Sequence, residues 1–238
     1  MMANRRSSAL ILGALLCIGL VALGYLLGQS AVKVKEYERL VRVKGLAERE
    51  LPANIVIWPI QYSAASNSLE DLYQKLDEHA AVVRGFLVER GIQAEEVSVS
   101  APAVTDKSAQ QYGNERSPFR FVGTQTVTVY SEQLSNVRGM MGAISELGKQ
   151  GVVLRGDHYD SRPEYIFNQL NDIKPAMIEE STKNARQVAE KFAADSNSRL
   201  GKIKRASQGQ FSIQDRDRNN PHIKKIRVVS TVEYYLSD

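Results

Sequence analysis

Hydrophobic and polar positions alternate through much of the chain, which predicts strands with one buried face. We predict strands over 40–47, 54–66, 97–104 and 119–130, one that begins at Val152, and two more over 202–213 and 223–236. Three segments instead place apolar residues three and four positions apart, which is typical of amphipathic helices: 68–91, 134–147 and 175–195. The order β-β-α-β-β-α-β-α-β-β predicts an α+β fold with antiparallel or mixed sheets and helices on one face, similar to the split βαβ arrangement.

Local signals mark the helix ends. Ser68 can cap the first helix, Asp71 can complete a capping box with it, and Gly91 can end the helix in a left-handed conformation. Pro175 is expected in the first turn of the last helix. That helix carries small residues at a spacing of four, which would let it lie close to a sheet or another helix: Ala185, Ala189 and Ala193.

Two strands carry features that concern sheet edges. Pro59 has no N–H to donate, so Trp58-Pro59 is expected at an edge or a bulge, with Trp58 in a packing role rather than as a ligand platform. The strand Ile223–Leu236 contains a long β-branched run that would be hazardous as a free edge. Pairing between subunits would satisfy that edge, which predicts a closed homo-oligomer; the alternative is a monomer in which Lys224, Lys225 and Arg227 protect the edge.

An uncharged run covers Ser7–Val32, and its apolar core Ala9–Leu27 would be about 28 Å long as a helix, close to the thickness of a bilayer's hydrocarbon. Residues 1–32 are therefore predicted to be an N-terminal membrane anchor that crosses the inner membrane through residues 7–27. Arg5 and Arg6 favour a cytoplasmic N-terminus and an exported remainder. A cleaved signal with a new terminus at Ala31 is the alternative.

Charge and cysteine usage restrict the function classes. All 27 acidic residues and all but two of the 31 basic residues lie beyond residue 30, so that part is nearly balanced and no nucleic-acid partner is expected. The single cysteine, Cys17, lies in the apolar run. The remaining chain therefore has no disulfide and no thiol chemistry, and its core alone must stabilise it.

No catalytic, cofactor or metal site is predicted, and we do not expect an enzyme. The three histidines, His79, His158 and His222, lack partners at metal-ligand spacing, and Asp157–Asp160 is expected to be a solvated turn. Asp215–Asn220 resembles the start of a calcium loop, but Asn220 replaces the required Gly and Ile226 the required Glu. A hydrolase with scattered catalytic residues is the least favoured hypothesis.

The most one-sided charge lies near the C-terminus. Lys202 and Lys204 share one strand face, and Lys225 and Arg227 share another. These four residues are a candidate site for an anionic lipid or ligand. A subunit contact and an ordinary solvated sheet face are the alternatives.

Three groups of motifs carry a family resemblance. They are Val41–Gly45 followed by Pro52–Val56; Gly91-Ile92 leading into Val97–Val99; and Tyr165, Leu170–Pro175, the Ala185–Ala193 helix and Leu200–Ile203. In this order and spacing, they make residues 38–236 resemble the SIMPL domain family, also called DUF541.

The resemblance implies an exported α+β domain of bacterial envelopes, ring- or channel-like oligomers in some members, and links to envelope or oxidative stress. It carries over no catalytic residue. We therefore predict a non-enzymatic, single-pass inner-membrane protein whose residues 33–238 form a self-associating SIMPL-like domain in the periplasm. The alternative is a periplasmic protein that binds a small molecule or lipid in a pocket between sheet and helices.

Overall fold

A computed structural model describes residues 3–36, 39–109, 118–156 and 161–237. The helices are α1 Ala3–Glu36, α2 Leu69–Glu89, α3 Leu134–Gly142, α4 Ser145–Lys149 and α5 Leu170–Asp195. The strands are β1 Leu40–Pro52, β2 Ile55–Ser66, β3 Val97–Val99, β4 Ala103–Asp106, β5 Phe121–Ser131, β6 Val153–Leu154, β7 Glu164–Ile166, β8 Arg199–Gln208, β9 Ser212–Asp215 and β10 Ile223–Ser237. The class is α+β, as predicted.

The chain divides into two compact units. The first contains residues 1–49, 173–212 and 227–238, and the second contains residues 50–172 and 213–226. Within the described residues, one sheet has the order β1-β10-β8, with β9 also paired to β10. The other has the order β3-β5-β2-β6, with β4 paired to β5 and β7 to β2. The pairs β10–β8, β2–β5, β2–β6, β2–β7, β3–β5 and β4–β5 are antiparallel.

The prediction of an N-terminal transmembrane helix is wrong. Among the residues that the structure describes, no helix combines the length and the apolar character needed to cross a membrane. A span needs about 20 consecutive apolar residues. The stretch of α1 from residue 15 to residue 30 falls short of this, and it ends in the polar residues Gln29 and Ser30. The predicted inner-membrane localisation, which rested on that helix, is wrong with it.

The second unit has one hydrophobic core between its sheet and α2, α3 and α4. Alternate residues of β2 face this core, and Trp58 is among them, so the predicted packing role is confirmed. From α2, the side chains of Leu72, Leu76, Val83 and Leu87 are fully buried. Gly123 on β5 lies directly under α2, because an added Cβ would be 2.7 Å from Leu76 Cδ1. The α2 face of the sheet is therefore the covered one.

Helix α2 begins as predicted, but its cap differs in one hydrogen bond. Ser68 is the N-cap, and its hydroxyl oxygen accepts a hydrogen bond from the Asp71 N–H at 3.4 Å. The Ser68 N–H does not donate to Asp71, as a capping box requires; it donates to Ser66 Oγ at 3.1 Å. The Ser66 hydroxyl in turn donates to Asp71 Oδ2 at 2.5 Å. A serine two residues upstream thus completes the cap.

Pro59 does not lie on an edge strand. It is in β2, opposite Thr128 of β5, and the other side of β2 pairs with β7 at residues 55–57 and with β6 at residues 62–63. Pro59 therefore lies where β7 has ended and β6 has not begun. A central strand can accept proline at such a gap, because no ladder hydrogen bond is interrupted there.

A series of hydrogen bonds between buried polar groups crosses the core of the second unit. The Tyr62 hydroxyl donates to Gln125 Oε1 at 2.8 Å and lies 3.3 Å from the carbonyl oxygen of Leu76 on α2. Gln125 Nε2 donates to the carbonyl oxygen of Ser100 at 2.9 Å. Burial, with a smaller contribution from Asp77, raises the pKa of Tyr62 to about 12. The hydroxyl is thus protonated at physiological pH and donates its hydrogen bond.

In the first unit, α5 packs against the sheet through the predicted line of small residues. Ala185 and Ala189 are fully buried, and they contact Val43 of β1 and Val232 and Tyr234 of β10. Gly45 on β1 faces the helix so closely that an added Cβ would lie 1.8 Å from the carbonyl oxygen of Ser181. Two hydroxyls, Ser181 Oγ and Ser230 Oγ, are 2.6 Å apart at the same interface.

Several predicted boundaries are corrected. Helix α5 begins at Leu170, so Pro175 lies inside the helix rather than in its first turn. The predicted strand 97–104 is two strands separated by residues 100–102, the predicted helix 134–147 is α3 and α4, and the predicted strand 202–213 is β8 and β9. The short strand β7 was not predicted. The predicted edge strand is central instead, since β10 lies between β1 and β8.

Candidate binding surfaces

The four basic residues singled out in the sequence are divided between the two units. Lys202, Lys204 and Arg227 belong to the first unit, whereas Lys225 belongs to the second. Lys204 Nζ lies 5.7 Å from the centroid of the Tyr235 ring, a cation–π contact with the neighbouring strand. Binding of an anionic lipid or ligand by these residues stays a prediction.

Two arginines outside the four residues of that candidate site lie on the open face of the first sheet. Arg42 Nε is 3.6 Å from Glu233 Oε1, and Arg205 lies directly opposite Glu233 in the β8–β10 register. With the hydroxyl residues Ser207 and Thr231, these side chains line a cavity of about 160 Å³. Two guanidinium groups around one carboxylate leave a net positive charge, which suits an anion. The pairing of Arg205 with Glu233 follows from the hairpin register, a signal that the sequence could have supplied.

Strand β8 is exposed along almost its whole length. It pairs with β10 on one side and lies at the end of the strand order β1-β10-β8. All its residues are exposed except Leu200, which is half-buried, and the Ile203 side chain is 50 % exposed. The strand also carries four basic residues and no acidic one: Arg199, Lys202, Lys204 and Arg205.

A second cavity, of about 280 Å³, lies on the sheet of the second unit. Ser63 follows the core residue Tyr62 on β2, and Thr124 follows the core residue Gly123 on β5. Because successive strand residues point to opposite faces, the cavity opens on the face away from α2. Three hydroxyl residues, two small apolar residues and two basic residues line it: Ser63, Thr105, Thr124, Ala103, Val122, Lys107 and Arg155. The described lining residues include no carboxylate.

The structure places two of the three histidines. His79 lies on α2 with its ring edge-on to Tyr62, the centroids 5.9 Å apart, and His222 lies 6.0 Å from the Tyr165 ring. His158 and the turn Asp157–Asp160 lie outside the described residues. Within those described residues, no group of three or more His, Cys, Asp or Glu side chains could hold a metal ion.

His79 is a half-buried side chain whose surroundings disfavour the protonated imidazole. Its Nδ1 is inaccessible to solvent and has no hydrogen-bond partner among the described residues. Burial, assisted by Lys75 and opposed by Glu78, lowers the pKa of His79 below 6.5. The neutral imidazole packed against Tyr62 is thus the form that the folded state favours.

We expect His79 to make stability depend on pH. Above the unfolded-state pKa of 6.5, His79 is neutral in both the folded and the unfolded state, so it does not make stability depend on pH. As pH falls below 6.5, the unfolded state takes up a proton before the folded state does, and stability is lost until pH has passed the lower folded-state pKa. Thermal melts from about pH 8 to about pH 5 should show a falling melting temperature, and His79→Gln should flatten it. Equal slopes for both proteins would contradict this role.

The turn before β10 is organised by one aspartate. Asp217 Oδ1 accepts hydrogen bonds from the backbone N–H groups of Asn219 and Asn220, both at 2.9 Å. Arg216, with smaller contributions from Asn220 and Asn219, lowers the pKa of Asp217 to about 2. Asp215 instead pairs with Lys224. The carboxylates of the calcium-like stretch are thus engaged by nitrogen donors of the protein.

These observations define an α+β protein with antiparallel sheets whose candidate sites are sheet faces and a sheet edge. The chain belongs to the SIMPL family: a family model described as "Protein of unknown function (DUF541)" matches residues 41–232. The resemblance seen in the sequence is confirmed. A comparison with curated proteins found no match.

Proposed function

We propose that this SIMPL-family protein is non-enzymatic and self-associates through the edge of the sheet in its first unit. The supporting observation is β8, which lies at the end of its sheet and is exposed along almost its whole length. Such a strand presents unpaired N–H and C=O groups that a strand of a second molecule can satisfy. The same edge role was first assigned to β10, which is central.

The charges of β8 indicate which strand of the second copy would pair with it. Two β8 strands side by side would bring two sets of four basic residues together, and like charges on neighbouring strands destabilise the pair. Strand β1, at the other end of the same sheet, carries both signs, with Glu48 and Glu50 among its exposed residues. Pairing of β8 with β1 of the next copy is head-to-tail, and a closed ring would stop it from growing into a fibre.

Light scattering after size exclusion tests the proposal. At micromolar protein, the full chain should elute with a mass that is a multiple of 26.5 kDa. Ile203→Lys adds a charge to the middle of the β8 edge and should weaken association about tenfold or more.

The matched control is Val88→Lys on α2. Val88 is 52 % exposed and belongs to the second unit, so the variant adds the same charge outside the sheet that contains β8. Its mass should equal that of the unchanged protein. A monomeric mass for the unchanged protein across a concentration series would refute self-association, and equal effects of both lysines would refute the role of β8.

A second candidate function is binding of a small anionic ligand on the open face of the first sheet. Its support is the cavity in which Arg42 and Arg205 flank Glu233. Mass spectrometry of small molecules and lipids that copurify with the protein tests it. An anionic compound that is depleted in Arg205→Gln would favour this function over self-association alone.

A further inference from the structure

We propose that the cavity of the second unit binds a small phosphate-type oxyanion. This site is independent of β8 and of the open face of the first sheet, because all its lining residues belong to the second unit. It differs also from the predicted pocket between sheet and helices, since it opens on the sheet face away from α2.

The floor of the cavity is fixed by strand register. Ser63 lies directly opposite Thr124, and Thr124 directly opposite Ala103 on its other side. In the next row, Val122 lies opposite Thr105. Directly paired residues point to the same sheet face, so three hydroxyl side chains stand close together on a floor of short residues. Hydroxyls can each donate one hydrogen bond to an oxygen of a bound anion.

Two long basic side chains reach this floor from opposite sides. Arg155 follows β6, and its backbone N–H donates to the Gln61 carbonyl oxygen at 2.8 Å, which places Arg155 beside β2. Lys107 follows β4, and its backbone N–H donates to the Arg120 carbonyl oxygen at 2.8 Å. Both residues make other contacts as well. A guanidinium has five N–H donors and an ammonium three, so a single contact does not use all of them.

Charge and size specify the ligand class. Two basic groups match the charge of a phosphate dianion, and arginine can bind two phosphate oxygens at once while lysine supplies a point charge. The nearby Asp106 does not compete, because its carboxylate binds Arg120 Nη2 at 2.9 Å. A cavity of about 280 Å³ is at the lower end of ligand pockets, which suits a phosphate with a small substituent.

The probe is inorganic phosphate, added to the full chain at constant ionic strength. Titration calorimetry should give saturable binding, and amide NMR shifts should be confined to residues near 61–65, 103–107 and 122–126. Arg155→Gln should weaken phosphate binding about tenfold or more, and Lys107→Gln should also weaken it. Thr124→Val, which removes one hydroxyl and keeps the shape, provides a third variant should a charge change impair folding.

Matched controls remove the same charges elsewhere in the second unit. Arg84→Gln on α2 and Lys149→Gln on α4 change exposed basic residues outside the cavity and should leave phosphate affinity unchanged. Absence of saturable binding would overturn the proposal. Equal weakening by control and site variants, or shifts spread over the whole surface, would do so too, because they indicate nonspecific charge attraction. None of these outcomes depends on whether the chain self-associates.

Discussion

Gly45→Ala is expected to cost about 3 kcal/mol or more of unfolding free energy, the largest effect of a single methyl group that we predict. The new Cβ would lie 1.8 Å from the carbonyl oxygen of Ser181 and 2.4 Å from the backbone nitrogen of Ala185. Both contacts are with backbone atoms, so no side chain can rotate away. Strand β1 and helix α5 would have to separate, and Ala185 and Ala189 would lose their packing.

Denaturant unfolding followed by far-UV circular dichroism measures this loss. The lone tryptophan, Trp58, belongs to the second unit, so its fluorescence alone could miss a change confined to the first. Gly85→Ala on α2 is the control, because nothing lies within 4 Å of the added Cβ there. It should be neutral or stabilise by about 0.5–1 kcal/mol, since alanine favours a helix. Equal stability of Gly45→Ala and the unchanged protein would refute the close contact.

Leu76→Ala should cost about 2–5 kcal/mol, because Leu76 is fully buried and its loss leaves a cavity. Gly123→Ala should also destabilise the unchanged protein, since its Cβ would lie 2.7 Å from Leu76 Cδ1. In the Leu76→Ala background that clash is absent. The second substitution should then cost less, with a coupling of about 1 kcal/mol or more between the two sites.

Four proteins in a double-mutant cycle, unfolded in urea and followed by Trp58 fluorescence, measure the coupling. Leu69→Ala is the control on the same helix, because Leu69 is 45 % exposed and should lose less than about 1 kcal/mol. Strict additivity of Leu76→Ala and Gly123→Ala would show that α2 does not press on β5 at this point.

Local patterns were enough to predict the class and most elements. Ser68 marked the start of α2, and the spacing of Ala185, Ala189 and Ala193 predicted the close packing of α5, because both signals lie within one helix. The predicted element boundaries were wrong mainly where pairing with a neighbouring strand determines them. The break between β3 and β4 contains Pro102, which cannot donate to a sheet ladder, so the sequence did carry a signal for it. The short strand β7 depends on pairing with β2, which no local pattern contains.

The sites were harder to predict than the elements. Arg205 and Glu233 face each other across a hairpin, so their pairing was within reach once the register was known. Lys107 and Arg155 line the same cavity only because β4, β5, β2 and β6, which are far apart in the sequence, are neighbours in one sheet. The edge was misassigned for the same reason, since the β-branched run of β10 suits a central strand as well as an edge.

The Tyr62 hydroxyl has a consequence for how the second unit selects its native pairing. It joins β2 to Gln125 of β5 and to the carbonyl oxygen of Leu76 on α2. If β5 slipped by two residues against β2, its apolar side chains would stay on the core face, but Gly123 or Val127 would replace Gln125 opposite Tyr62, and the hydroxyl would lose that acceptor. Such slipped pairings of β2 and β5 are therefore penalised even though they keep the same sheet face covered. A single buried phenol thus discriminates between arrangements that hydrophobic burial alone would leave close in energy.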